Sequence, residues 1–440
     1  MPVPGPVTIL GGFLITSSRA EVHPSWGVRV AGGKIAAIGP NEELLAAPDR
    51  GEVIDARDAI ISPGFINGHM HMYGILSHGI SVKNAPAGFY SFLEDFWWPQ
   101  VENRLDHNLV ATTTAWACVE MIASGITTFC DILEAPAAIP GALEVEAGIV
   151  RRAGLRAILS FEACERISQE NGELGLKENA GFIRACQGDP LVKGLMSVHT
   201  TFTCSPEFLI RASELARELG SDLHMHLSES PYEPQYCRQT YGKRPVEVYR
   251  DLNILGAHIL ASQGVDLAAG EIELLAASGA RLVHMPLSNC EVGGGIAPVP
   301  QLLAAGVPLG LGTDGYINNF FEVMRGAFLI HKANMKSPQV MPARTVFGLA
   351  TDMGARALGE PELGRLEPDC PADLITIKAD TPTPINAENI FDQIILFRNP
   401  GDVVDVMVNG KFLQREGRLL TLEAAKVKAE TRDAALAFWR

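Results

Sequence analysis

The chain has 440 residues, 47% hydrophobic and 20% charged, with 43 glycines and 28 prolines, a profile that excludes fibrous, coiled-coil and disordered classes and leaves room for one large domain plus an accessory one. Acidic residues (51) outnumber Lys and Arg (36), and the resulting net charge of −15 repels phosphate backbones and anionic lipid, so nucleic acid and membranes are not expected as partners. The eight cysteines (Cys118, Cys130, Cys164, Cys186, Cys204, Cys237, Cys290 and Cys370) form no Cys-x-x-Cys pair and read as reduced core thiols. Met1 to Leu10 carries no basic residue and is unlike a secretory leader, and no run reaches the ~18 apolar residues of a membrane span. A cytoplasmic location is expected.

From Val7 to about Ile61 short apolar runs alternate with turn residues (VTILGGFLIT, WGVRVAGGKIAAIG, EVIDARDAIISPG), which predicts a small β unit. PGFINGHMHMY follows, and in it His69 and His71 stand two apart at the end of a strand. Alternate strand residues share a face, so both imidazoles can grip one cation. Next come Phe92, Phe96, Trp97 and Trp98, which either stack on a flat ligand or pack in a core or interface.

Helical stretches then feed strand-like runs: HNLVATTTAWACVEMIASG into ITTFCDI, AGIVRRAG into LRAILSF, EFLIRASELARELG into SDLHMHL, EIELLAASG into ARLVHMP. This alternation predicts parallel strands with helices outside, and roughly 300 residues of it suit a (β/α)8 barrel of about 250 residues plus insertions. Several strand ends carry polar groups: His199 in SVHTTFTCS, the SDLHMHLSES segment, His258 in GAHIL, and Asp314 in PLGLGTDGYINN. In SDLHMHLSES a histidine and Glu229 bring a ligand and a proton carrier to one strand end, but His224 and His226 share a face and the spacing does not choose between them. VGGG, Val292 to Gly295, lacks the Lys and Ser/Thr of a nucleotide loop and reads as a turn.

After Gly364 the strand texture returns, with Asn409-Gly410 as a hairpin turn, and Leu422 to Arg440 reads as a terminal helix. The predicted fold is therefore α/β: a (β/α)8 TIM-like barrel at residues 62–364, inserted into a small β-sandwich domain formed by both chain ends, 1–61 and 365–440, with the helix attached to the latter.

The series PGFINGHMHMY, SVHTTFTCSPEFL, LHMHLSES, GAHIL, HMPLSN with GGGIAPV, and GLGTDGYINN resembles the metal-dependent amidohydrolase superfamily, in its cytosine, guanine and methylthioadenosine deaminase and triazine hydrolase branch. SFLEDFWWPQVENRLD and the stretch after GTDG resemble most a group of aminohydrolases associated with selenium metabolism. The resemblance implies one divalent metal ion, zinc first with iron or manganese compatible, held by His69, His71, His226 and Asp314. It implies Glu229 as proton shuttle, Asp314 as base, His258 as a water-orienting or electrophilic residue, and His199 as a substrate contact, which Trp98 would join by stacking. Many members carry an Arg shortly after the His-x-His pair, where this chain reads Leu76, Ser77, His78, Gly79; Glu229, which the dechlorinating triazine enzymes tend to lose, is present.

The expected function is hydrolytic deamination of a small amino-substituted purine, pterin or pyrimidine by a homodimer or larger homo-oligomer. The alternatives are an s-triazine or cyclic amide hydrolase on the same site, and a catalytically silent barrel serving as a binding module. The His-x-Glu with Pro-Cys-x-x-Cys signature of base-flipping deaminases is absent.

Overall fold

Both chain ends build one mixed sheet. The N-terminal part supplies β1 (Val7–Ile15), β2 (Trp26–Ala31), β3 (Lys34–Pro40) and β4 (Glu52–Pro63). The computed structural model describes residues 5–82 and 86–440, so Met1 to Pro4, part of the leader reading, lie outside the described residues.

The central part supplies β5 (Phe65–Met70), β6 (Ile126–Leu133), β7 (Arg156–Phe161), β8 in two pieces (Val192–Gly194 and Met196–Ser197), β9 (Leu223–Leu227), β10 (Ile259–Gln263), β11 (Arg281–His284) and β12 (Leu309–Leu311). Each pairs in parallel with the next, and Leu311 of β12 returns to Asn67 of β5. Leu195, between the two pieces of β8, donates its N–H to Leu159 at 3.0 Å and closes the ring of eight staves. Strands buried on both faces must be nearly continuous in apolar residues, and every residue of β5 and β6 is buried.

The last part supplies β13 (Leu374–Lys378), β14 (Val403–Val408), β15 (Lys411–Arg415) and β16 (Arg418–Leu419). The end sheet runs β16-β15-β14-β13-β4-β1-β2-β3, so the two chain ends meet where β13 pairs antiparallel with β4, Ile375 opposite Ser62. Its strands enclose a core of their own, with Ile9, Leu14, Val28, Ile35, Ile61, Leu374 and Met407. The predicted hairpin turn is there: Asn409 and Gly410 both take positive φ, 49° and 74°.

The barrel helices begin where the sequence offers caps. Pro206–Leu219 starts on Ser205, whose side chain accepts the Phe208 N–H, has Pro206 in its first turn and stops at left-handed Gly220. The tail helix, Ala424–Phe438, lies against the barrel helix His107–Ala123, with Thr431 bonded to the Thr112 carbonyl. It packs on the barrel, although it follows the strands of the end sheet in the chain. No helix among the described residues is long and apolar enough to cross a membrane. All eight cysteines are free, and only Cys290 is exposed.

Candidate active site

The carboxyl ends of the barrel strands open into a cavity of about 810 Å³, lined among others by His71, His199, His226, Glu229, Asp314 and Trp98. His69 and His71 project from the end of β5, His226 from β9, and Asp314 from the turn after β12. Ligand atoms of His69, His71 and His226 lie within 4.8 Å of one another. Asp314 Oδ1 is 3.3 Å from His71 Nε2 and 3.9 Å from His69 Nε2.

Backbone geometry sets Asp314. Gly312 passes the β5 edge so closely that a Cβ there would meet the His69 carbonyl at 2.7 Å. That approach lets Thr313 and Asp314 donate their N–H groups to the same carbonyl at 3.0 and 3.1 Å. Asn67 then bonds Thr313 twice, through its side-chain N–H to Oγ1 and by accepting the Thr313 N–H.

The donor set fits a cation. His71 Nδ1 donates to the Ile132 carbonyl at 2.6 Å, which leaves Nε2 with its lone pair, and His226 Nδ1 meets Glu162 Oε1 at 2.8 Å, whose charge raises this imidazole to about 9 against burial, so a cation would take the place of its Nε2 proton. Both ring nitrogens of His69 are buried without a hydrogen-bond partner. Such orphaned nitrogens are costly unless a ligand occupies them, and three imidazoles with a carboxylate are donors that zinc accepts.

Two carboxyl groups in this cavity are driven apart. Burial and the Asp314 charge push Glu229 up to about 8. Asp314 is lowered although burial opposes it, because His71, His226 and the hydrogen bonds from Gln263 and Ser288 favour its charged form. Glu229 is aimed by the turn before it, where Ser228 sits at φ 48° and its N–H is held by buried Glu233 at 2.6 Å. His199 is taken down to about 3 by burial, so its imidazole is neutral.

The structure separates the remaining expectations. His226, rather than His224, joins His69 and His71; His224 is fully buried with Nδ1 against Ser197 Oγ at 3.0 Å. Trp98 lines the cavity, its ring 6.2 Å from that of His199 and nearly perpendicular to it. His258 is not part of the site. It precedes β10 at the amino end of the barrel, five residues and so roughly 16 Å of strand away from the cavity end at ~3.3 Å per residue. The residue that β10 brings to the cavity end is Gln263, whose Nε2 donates to Asp314 Oδ2 at 2.6 Å.

Sequence reasoning also missed a buried ion cluster along the cavity wall. Arg166 pairs with Glu102 at 2.8 Å and with Glu134, donates to Asn103, and lies 5.2 Å from the Trp98 ring. Glu102 also accepts the Tyr73 hydroxyl at 3.0 Å. Burial, and for each the charge of a neighbouring carboxylate, raises Glu102 and Glu134, whereas His226, charged and donating to it, holds Glu162 well below its ordinary range against the effect of burial. A signal existed: SFEACER sets two glutamates and an arginine directly after the apolar run of β7.

Known proteins share this architecture along nearly the whole chain. The Amidohydrolase family model matches residues 60–413. A 5'-deoxyadenosine deaminase of Methanosarcina mazei is 35% identical over 414 residues, 93% of this chain and 92% of its own. A 5-methylthioadenosine/S-adenosylhomocysteine deaminase of Nitratidesulfovibrio vulgaris is 32% identical over 438 residues, 98% of both. An adenosine deaminase of Xanthomonas campestris, solved with bound zinc, has a TM-score of 0.89 at 24% identity, covering 100% of this chain and 99% of that one. An atrazine chlorohydrolase of Arthrobacter aurescens, also with zinc, has a TM-score of 0.85 at 21% identity over 98% and 100%. At these identities the two structures establish the fold. The family match and the end-to-end likeness to these relatives, on a barrel whose strand ends carry this donor set, identify the chain as a member of the amidohydrolase family.

Proposed function

We propose that this chain is a metal-dependent hydrolase of carbon–nitrogen bonds that deaminates an aminopurine nucleoside of the 5'-deoxyadenosine or 5'-methylthioadenosine type. The observation that carries the reading is the convergence of His69, His71, His226 and Asp314 on one point of the cavity wall, with Glu229 three residues beyond His226. The substrate class rests on the activities of the relatives, and a cavity of about 810 Å³ has room for a base with its sugar.

His69, His71, His226 and Asp314 would hold one divalent ion, zinc by preference. Bound there, such an ion would lower the pKa of water to about 7 and so supply the nucleophile at neutral pH. Asp314, kept ionised by its surroundings, accepts the water proton as oxygen adds to the ring carbon that bears the amine. Glu229, protonated at neutral pH, gives its proton to the adjacent ring nitrogen. Glu229, now ionised, takes the proton of the added hydroxyl while the proton held by Asp314 passes to the amine, which leaves as ammonia; the oxo-purine remains and both carboxyl groups are back in their starting states. His199 offers a neutral imidazole to the substrate, and Trp98 a face for the base.

The test is ammonia release by metal-analysed protein from 5'-deoxyadenosine, 5'-methylthioadenosine, adenosine, guanine, cytosine, a pterin, melamine and atrazine. Turnover of the adenine nucleosides, abolished by a chelator and restored by zinc, is the expected result. Turnover confined to the triazines moves the chain to the alternative hydrolase, and protein that binds no metal removes the reading altogether.

A further inference from the structure

At the cavity end of β10 the barrel presents a side chain that cannot take up a proton, and its contacts point in one direction. Gln263 is fully buried, and its amide orientation is fixed from both sides. Asn289 Nδ2 donates to Gln263 Oε1, and Gln263 Nε2 donates to Asp314 Oδ2 at 2.6 Å, a bond the carboxylate can only accept. Ser288 Oγ donates to the same Oδ2 at 2.9 Å. Oδ1 accepts the N–H of Gly315 at 2.9 Å and is the oxygen that faces His71 and His69. The two oxygens of Asp314 are therefore assigned different duties by neutral groups around them.

The backbone supports the same assignment. Gln263 has φ 78°, and the other two residues that set groups at this rim, Ser228 and Asp314, have φ 48° and 58°. Left-handed backbone is strained for a non-glycine residue and persists where the surroundings over-determine it. A side chain serving only to fill space needs no such conformation, and here the turn aims an amide at a carboxylate.

We propose that Gln263 is the positioning residue of Asp314. By saturating Oδ2 together with Ser288, it directs Oδ1 toward the His69, His71 and His226 donor set, and so fixes both the fourth ligand and the acceptor of the water proton. This rests on the metal-site reading above and adds to it a residue that touches neither metal nor substrate.

The experiment compares wild type with Q263M, which keeps side-chain length and removes both hydrogen bonds, and with N289A, which removes only the donor that orients the amide. Each is loaded with zinc, and metal loss to an excess of chelator is followed without substrate; steady-state constants are then measured on the best substrate. Q263M is expected to lose zinc at least tenfold faster and to fall about 100-fold in kcat with KM within threefold, the effect of misplacing a reacting group by about 1 Å. N289A is expected to move both readouts in the same direction by a smaller factor, which keeps the test alive if Q263M does not fold. Zinc loss and kcat within threefold of wild type in both variants overturn the assignment. Accelerated zinc loss without ammonia from any substrate upholds it while removing the deaminase reading, and wild-type protein that holds no zinc overturns both.

Discussion

At Glu229 and Asp314 a single cavity holds two carboxyl groups in opposite protonation states, one pushed up to about 8 by burial and its neighbour's charge, the other lowered by imidazoles and hydrogen bonds. A pair separated in this way supplies an acid and a base at the same pH. E229Q keeps the shape and removes the proton donor, so kcat should drop about 10² to 10⁴-fold while zinc content stays at the wild-type level; activity within tenfold of wild type would remove Glu229 from the mechanism. A second pair of residues stores a pH dependence of stability. His331 and His284 are buried with their Nε2 atoms 3.1 Å apart, and burial takes His331 down to about 4. In the unfolded chain the same imidazole titrates near 6.5. Between those values the unfolded state binds the proton and the folded state does not, so stability contributed by the neutral side chain is complete above pH 6.5 and is lost as pH falls toward 4. The 2.5-unit gap corresponds to about 3 kcal/mol at most. Urea unfolding of H331L between pH 7 and 4.5 should show a shallower loss than wild type, and parallel curves for the two proteins would refute the assignment.

Among the elements, the segment that carries the aromatic wall is held from two sides. Phe92–Val101 is a π-helical turn with Pro99 inside it, a form that an isolated sequence does not favour and that occurs most at functional sites. On the cavity side Arg166, from beyond β7, ties Glu102, Asn103 and Trp98 to Glu134 at the end of β6. On the outer side the tail helix supplies Trp439, which stacks on Phe96 and donates to the Leu76 carbonyl, and Phe438, whose ring lies under Arg104. Removing one partner of such a buried cluster leaves uncompensated carboxylates and costs about 3 to 5 kcal/mol. R166M should lose stability of that order at pH 8 and recover part of it at lower pH, because Glu102 and Glu134 are already raised and then protonate. With Trp98 released, KM should rise at least tenfold while zinc content is unchanged. R166K, which keeps the charge, should restore stability more fully than KM, since a single ammonium cannot reproduce the guanidinium's forked contacts with both carboxylates and the Trp98 face. Equal KM in all three proteins would show that the clamp does not shape the pocket.

For the molecule as a whole, the parts legible in the sequence are those written in local pattern. The alternation of helix and strand gave the barrel, Asn409-Gly410 its hairpin, and the His-x-His of β5 and the GTDG turn two corners of the site, because each is a short-range signal with a fixed geometry. His258 misled because an apolar run marks a strand without saying which of its ends the histidine occupies, and the pairing of Leu223 with Ile259 sets it at the amino end. Glu162, Arg166 and Gln263 escaped notice because their roles exist only once strands distant in sequence lie side by side. The same assembly brings three imidazoles and a carboxylate together inside a protein interior, with both His69 nitrogens unpaired, and an ion held there would be linked to the folded state. A ligand bound only by the folded state stabilises it by about 2.7 kcal/mol at a concentration 100 times Kd. With an unfolding entropy of roughly 2.1 cal/mol/K per residue, a chain of this length should then gain roughly 3 °C in Tm. Chelated protein titrated with zinc should show this rise with a midpoint that matches the recovery of activity, and a variant lacking two ligands, H69A/H71A, should show none. A rise of the same size in that variant would place the stabilising ion elsewhere on the acidic surface, and would separate the stability of the fold from the chemistry of its site.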